Sequence, residues 1–101
     1  MGIFDSTDVD YLRVLWYEVY CAARGVELNT LSSERVIGQY YVEYNFKGKR
    51  CITPFAGLFG QRQFARSLEN RPEATNIKLA QILHISPTEL IDAIRAAAKR
   101  Q

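Results

Sequence analysis

The strongest local constraint on this chain is a helix start near its C-terminal end. Ser86 offers a side-chain oxygen to the backbone N–H groups that follow, and Pro87 suits the first helical position, where a missing N–H costs nothing. Glu89, three residues after the serine, completes a capping pair. Beyond it, Leu90, Ala93, Ile94 and Ala97 recur at helical spacing. Ahead of the break at His84-Ile85-Ser86 lies a second apolar set, Ile77, Leu79, Ala80, Ile82 and Leu83. Asn76 to Arg100 therefore reads as two short amphipathic helices joined by a tight turn.

Within that stretch, Ala80 to Arg95 resembles the helix-turn-helix of phage Cro and repressor proteins. Ala80 takes the place of the small residue that lets the second helix cross closely, with Leu79 and Leu83 in the apolar places beside it. Ile85 takes the apolar turn position, His84 stands where the family usually has glycine, and Leu90 with Ile94 forms the inward face of the recognition helix. The resemblance is confined to the C-terminal part. It implies a small sequence-specific DNA-binding transcriptional regulator with double-stranded DNA as its partner. Ser86, Thr88, Ile91, Asp92, Arg95 and Lys99 would then face the major groove, with Lys78 and Arg100 on phosphates. A second resemblance competes with the first. The same run is similar to the last two helices of larger repressor-type domains, which build the core and read no bases. The only upstream candidate for a complete motif, Gln61 to Ala74, lacks the apolar turn residue.

The rest of the chain reads in order as follows. Thr7 with Asp10 forms a capping pair, and apolar residues from Leu12 to Ala23 predict a helix over 8–24 that ends at Gly25. Its remaining side carries Tyr11, Val14, Tyr17 and Tyr20, so the helix is apolar nearly all round: either it is sandwiched in the core or another subunit covers one face, and a homodimer through this aromatic face is the preferred explanation of the surplus. Val26 to Glu34 reads as loop. Alternation in QYYVEYNFKGKRCITPF predicts a β-hairpin, with strands near 38–46 and 50–53 and Gly48-Lys49 at the turn. A rival helical stripe through Val36, Tyr40 and Tyr44 keeps 36–46 open between strand and helix. The turn carries Lys47, Lys49 and Arg50, suited to contact with a DNA backbone. Thr53-Pro54 signals another helix start, interrupted by Gly57 and Gly60. A better helix runs from Gln61 to Glu69 with Gln61, Arg62 and Arg66 outward, and Asn70 with Glu73 opens the next, which reaches Leu83.

These elements make one α+β domain over 1–101, mostly helical: an N-terminal helix, a β-hairpin over 38–53 and a three-helix part over 54–101 containing the helix-turn-helix. Charge is unevenly spread. Residues 1–34 carry six acidic and two basic side chains, whereas 35–101 carry five acidic and eleven basic ones, which suits a protein turning one end to an anion. Cys21 and Cys51 show no metal-ligand spacing and read as reduced, buried thiols. The acidic start is not a secretory signal and no run is long enough to span a membrane, so a cytoplasmic protein without membrane contact is expected.

His84 is the sole histidine, AGLFG lacks the lysine end of a phosphate loop, and no carboxylate pair is placed in an apolar cleft. No enzyme, metal or cofactor is therefore expected. Against the DNA-binding reading stands a phage- or plasmid-type protein-interaction adaptor or inhibitor. In that alternative the C-terminal helices are structural, and Tyr11, Trp16, Tyr17 and Tyr20 anchor the partner.

Overall fold

A computed structural model describes residues 9–30, 38–83 and 86–99. The Thr7 cap, the end of the expected loop at 31–34, the turn at His84-Ile85 and Arg100 lie outside these residues. The expected first helix forms as α1, Val9–Arg24. It is apolar all round because it lies between a sheet and a second helix, with Leu12, Tyr17 and Cys21 buried. β1, Glu27–Leu28, follows where only loop was expected.

The hairpin is present, as β2, Tyr40–Phe46, and β3, Lys49–Phe55, in antiparallel register from Tyr40 opposite Phe55 to Phe46 opposite Lys49. Its turn is Lys47-Gly48, one residue earlier than expected. Both residues have positive φ, 52° and 82°, as a two-residue turn matched to strand twist requires. β3 continues through Thr53-Pro54, where the sequence signals a helix start. Pro54 is tolerated because alternation puts its nitrogen on the edge facing β1, and β1 ends at Leu28, opposite Ile52.

α2, Leu58–Glu69, begins ahead of the expected Gln61 start. Gly60 accommodates this, since a Cβ there would come within 3.2 Å of the Phe55 ring. The largest departure follows. Ala74–Gln81 is a strand, β4, in place of the helix expected to reach Leu83. It pairs antiparallel with β2, and a register shift opposite Glu43–Asn45 coincides with Asn76 at φ 53°. Ala74, Ile77 and Ala80 are the partly buried residues of β4. The bulge advances the alternation by one residue between Ala74 and Ile77, which keeps both on the α2 side, whereas Ala80 lies opposite Tyr41 on the other face; the resulting spacing of three imitates helical periodicity. The last helix, α3, Pro87–Ala97, forms as expected, with Ser86 accepting from the Glu89 N–H at 3.2 Å. The first helix of a helix-turn-helix is thus replaced by a strand, and α3 follows a sheet edge.

Sheet order is β1-β3-β2-β4, parallel between β1 and β3 and antiparallel elsewhere. One face meets α1 and α3 in a core of Leu12, Tyr17, Ile52, Ile82, Leu90 and Ile94. On the other, α2 covers Val42, Tyr44, Cys51 and Phe55 with Ala65 and Leu68. None of the described helices is long and apolar enough to cross a membrane.

Candidate functional site

The residues expected to meet DNA are dispersed by this architecture. Thr88, Asp92, Arg95 and Lys99 are exposed along α3, whereas Ser86 is occupied as its cap. Ile91, expected to point outward, is half-buried against the α1–α3 core. Arg95 lies 3.9 Å from Asp92, an exposed pair with little energetic weight. Lys47, Lys49 and Arg50 occupy the opposite end of β2 from the start of α3, roughly 20 Å away at the rise of a strand. Arg50 is engaged by the Glu43 carboxylate at 3.2 Å, and Lys78 stands opposite Glu43 in the β2–β4 register. Arg62 and Arg66 belong to α2, across the sheet from α3.

The aromatic face of α1 is likewise used internally. Tyr17 is fully buried and its hydroxyl donates to the Gly38 carbonyl. Trp16 stacks on Tyr20 at 4.8 Å and tilts against Tyr41 at 5.6 Å. The Tyr20 hydroxyl donates to Glu43 at 2.8 Å, and the Arg24 guanidinium lies 4.5 Å over the Tyr20 ring while donating to the Ala97 carbonyl at the end of α3. Burial, reinforced for Tyr20 by the Glu43 hydrogen bond, raises the Tyr17 and Tyr20 hydroxyls far above their ordinary range. Burial also pushes the Cys21 thiol up to about 11, with Glu43 adding to the effect. These groups are neutral structural parts. A homodimer contact through this face therefore finds only Tyr11 substantially exposed among its tyrosines and tryptophan.

What the fold leaves uncovered is the outer edge of β4. Among the described residues, no strand pairs with that edge. The Ile82 N–H bonds to the Gln39 carbonyl at 2.8 Å, which sets the alternation along β4. Ala80 and Lys78 accordingly bond inward to Tyr41 and Glu43, and the backbone groups of Leu79 and Gln81 point out. Gln61 holds this end of the strand in place. Sequence spacing sets it outward, yet it is 3% exposed, and its Nε2 donates to the carbonyls of both Tyr41 and Ala80 at 2.9 Å.

Exposed apolar side chains flank the edge. Leu58 and Leu79 line a shallow hollow of about 210 Å³ on the α2 side. A larger cleft of about 370 Å³ opens on the α1–α3 side, where Leu83, 70% exposed, faces Trp16, Tyr20, Ala93 and Ala96. Gln81 borders both. Leu79 and Leu83 were legible as apolar positions, but a helical assignment turns them inward. Edge exposure follows only from the strand order.

Among the described residues, no group of three histidine, cysteine, aspartate or glutamate side chains is placed to hold a metal ion. No protein-family model, curated protein or solved structure matches the chain.

Proposed function

We propose that this chain is a protein-interaction module that acts by strand addition, an extended segment of a partner pairing with the outer edge of β4. The observation that carries this reading is an eight-residue edge strand bordered by Leu58, Leu79 and Leu83, three of the five large apolar side chains exposed among the described residues. Folded proteins usually shorten, charge or cover such edges. Here Lys78 is the sole charged residue in the strand. Main-chain hydrogen bonds to Leu79 and Gln81 would supply affinity, and the hollows on the two faces would select alternate side chains of the added strand. Partial burial of Ile91 supports this adaptor-type reading over DNA recognition by α3, because that side chain already serves the core.

The test is selection of random peptides of about ten residues against the folded protein, followed by amide chemical-shift mapping. Extended peptides with alternating apolar residues that shift the Leu79 and Gln81 amides support the reading. Peptides that map elsewhere, or none at all from a protein that sediments as a monomer, overturn it. The competing DNA reading has its own signature: affinity for a duplex of roughly 30 base pairs falling by about two decades between about 50 and 200 mM salt, and lost on removal of Arg95 and Lys99.

A further inference from the structure

We infer that the strand added at this edge is β4 of a second copy of the chain, giving a two-fold dimer with a continuous eight-stranded sheet. The inference rests on the strand-addition reading and names its partner. Its first support is hydrogen-bond parity. In an antiparallel self-pairing centred on Ala80, Leu79 faces Gln81 of the second copy and Gln81 faces its Leu79, so each outward donor and acceptor meets its complement. The bulge opposite Glu43–Asn45 distorts the strand before Ile77, so the regular outer edge begins at Lys78. Centring on Leu79 would engage Ile77 beside the distortion. A register centred on Lys78 would set that cation against itself.

Charge and size agree with the Ala80 register. Lys78 falls opposite Ile82 of the second copy, and no other charge lies within Ala74–Gln81. The axis passes a small alanine at a non-hydrogen-bonded pair, where backbones approach most closely. Isologous contact also brings like patches together, so Leu58 and Leu79 of both copies share one side of the joined sheet. Leu58, Leu79 and Leu83 offer on the order of 300 Å² per copy. That is under half of the roughly 800 Å² per partner in a standard interface. The β4 backbones and the polar side chains along them supply the remainder.

Sedimentation velocity over a concentration series tests the inference, using the full chain and two variants. Leu79→Lys places a charge on the edge and removes an apolar contact from each copy. The dimer dissociation constant should rise roughly hundredfold, with the far-ultraviolet circular dichroism unchanged. Ala80→Cys should give a covalent dimer on mild oxidation, while Thr75→Cys, beyond the bulge, should not; Cys21 and Cys51 are buried. A monomer at every concentration up to about 1 mM overturns the inference. So does a dimer indifferent to Leu79→Lys that fails to cross-link through position 80. If the monomer still binds selected peptides at Leu79 and Gln81, strand addition stands and only the second copy falls. Should Leu79→Lys fail to fold, cross-linking through Ala80→Cys decides alone.

Discussion

Replacing Gln61 with methionine isolates the one buried amide that ties a helix to the sheet edge. Methionine keeps an unbranched side chain of similar length, so little cavity forms, but both hydrogen bonds from Nε2 to the Tyr41 and Ala80 carbonyls disappear. Those carbonyls face each other's N–H groups across the β2–β4 ladder, so neither is left without a partner. The loss is therefore that of two ordinary bonds, each worth about 0.5–1.5 kcal/mol net, or about 2 kcal/mol together. For a domain of this size it lowers Tm by on the order of 10 °C. Thermal unfolding followed by circular dichroism measures it directly. The outward position expected from helical spacing predicts a change within about 0.5 kcal/mol, as at an ordinary surface site. A Tm within about 2 °C of the parent would refute the buried-clamp argument. Gln61→Glu adds a sign. A carboxylate facing two carbonyl oxygens is held above its ordinary pKa, so that variant should be more stable at about pH 4 than at about pH 7.

Gly38→Ala should cost about 3 kcal/mol or more in urea unfolding, because a Cβ there would lie 2.3 Å from the Phe55 carbonyl oxygen. A variant with parental stability would show that the backbone relaxes freely at this approach. Ser86→Ala removes the oxygen that caps α3 and should cost about 1 kcal/mol by the same assay, with the Ser86→Asp variant restoring most of it. Alkaline pH should unfold the protein in a defined window. The folded state holds Cys21 as a neutral thiol, raised from 9.0 to about 11, and raises Tyr17, Tyr20 and Tyr41 above 10.0. Their stabilisation is whole below the unfolded values and is lost as pH climbs through 9.0 toward about 11 for the thiol, with the tyrosines following. Urea midpoints that stay constant from about pH 8 to 11 would refute this, and Cys21→Ala should flatten the first part of the decline.

Elements with self-contained local signals were legible in the sequence. α1 needed only its apolar recurrence and Gly25; α3 needed only Ser86, Pro87 and Glu89. The hairpin follows from alternation between Tyr40 and Phe46, although composition alone sets Gly48 as the first central residue of the turn, whereas the backbone makes it the second. Where a local signal was opposed by pairing, pairing won. Thr53-Pro54 has the composition of a helix start, yet the register with Val42 and Tyr41 holds it extended and buries it. Gln61 was polar and therefore assigned to solvent, but a carboxamide can satisfy itself on two sheet carbonyls beneath a helix.

The conformation of Ala74–Gln81 decides which surface the protein presents. Ile77, Leu79, Ala80, Ile82 and Leu83 suit one helical stripe only if all five face one side. In β4 they divide: Leu79 turns to the α2 side, Ile82 to the α1–α3 core, and Leu83 stays in solvent. The same five residues therefore build a buried seam as a helix and a two-sided apolar border as an edge strand. Asn76 is the residue that allows the second outcome. Its positive φ is tolerated by asparagine at modest cost and is incompatible with a continuing helix, and the bulge it forms keeps Ile77 covered while Leu79 meets water. A DNA-reading surface required the helix, with Lys78 on the first helix of the motif and Arg95 on the second. The strand instead sets Lys78 opposite Glu43 in register and leaves the backbone of Leu79 and Gln81 without a strand partner among the described residues, which is a surface suited to another chain.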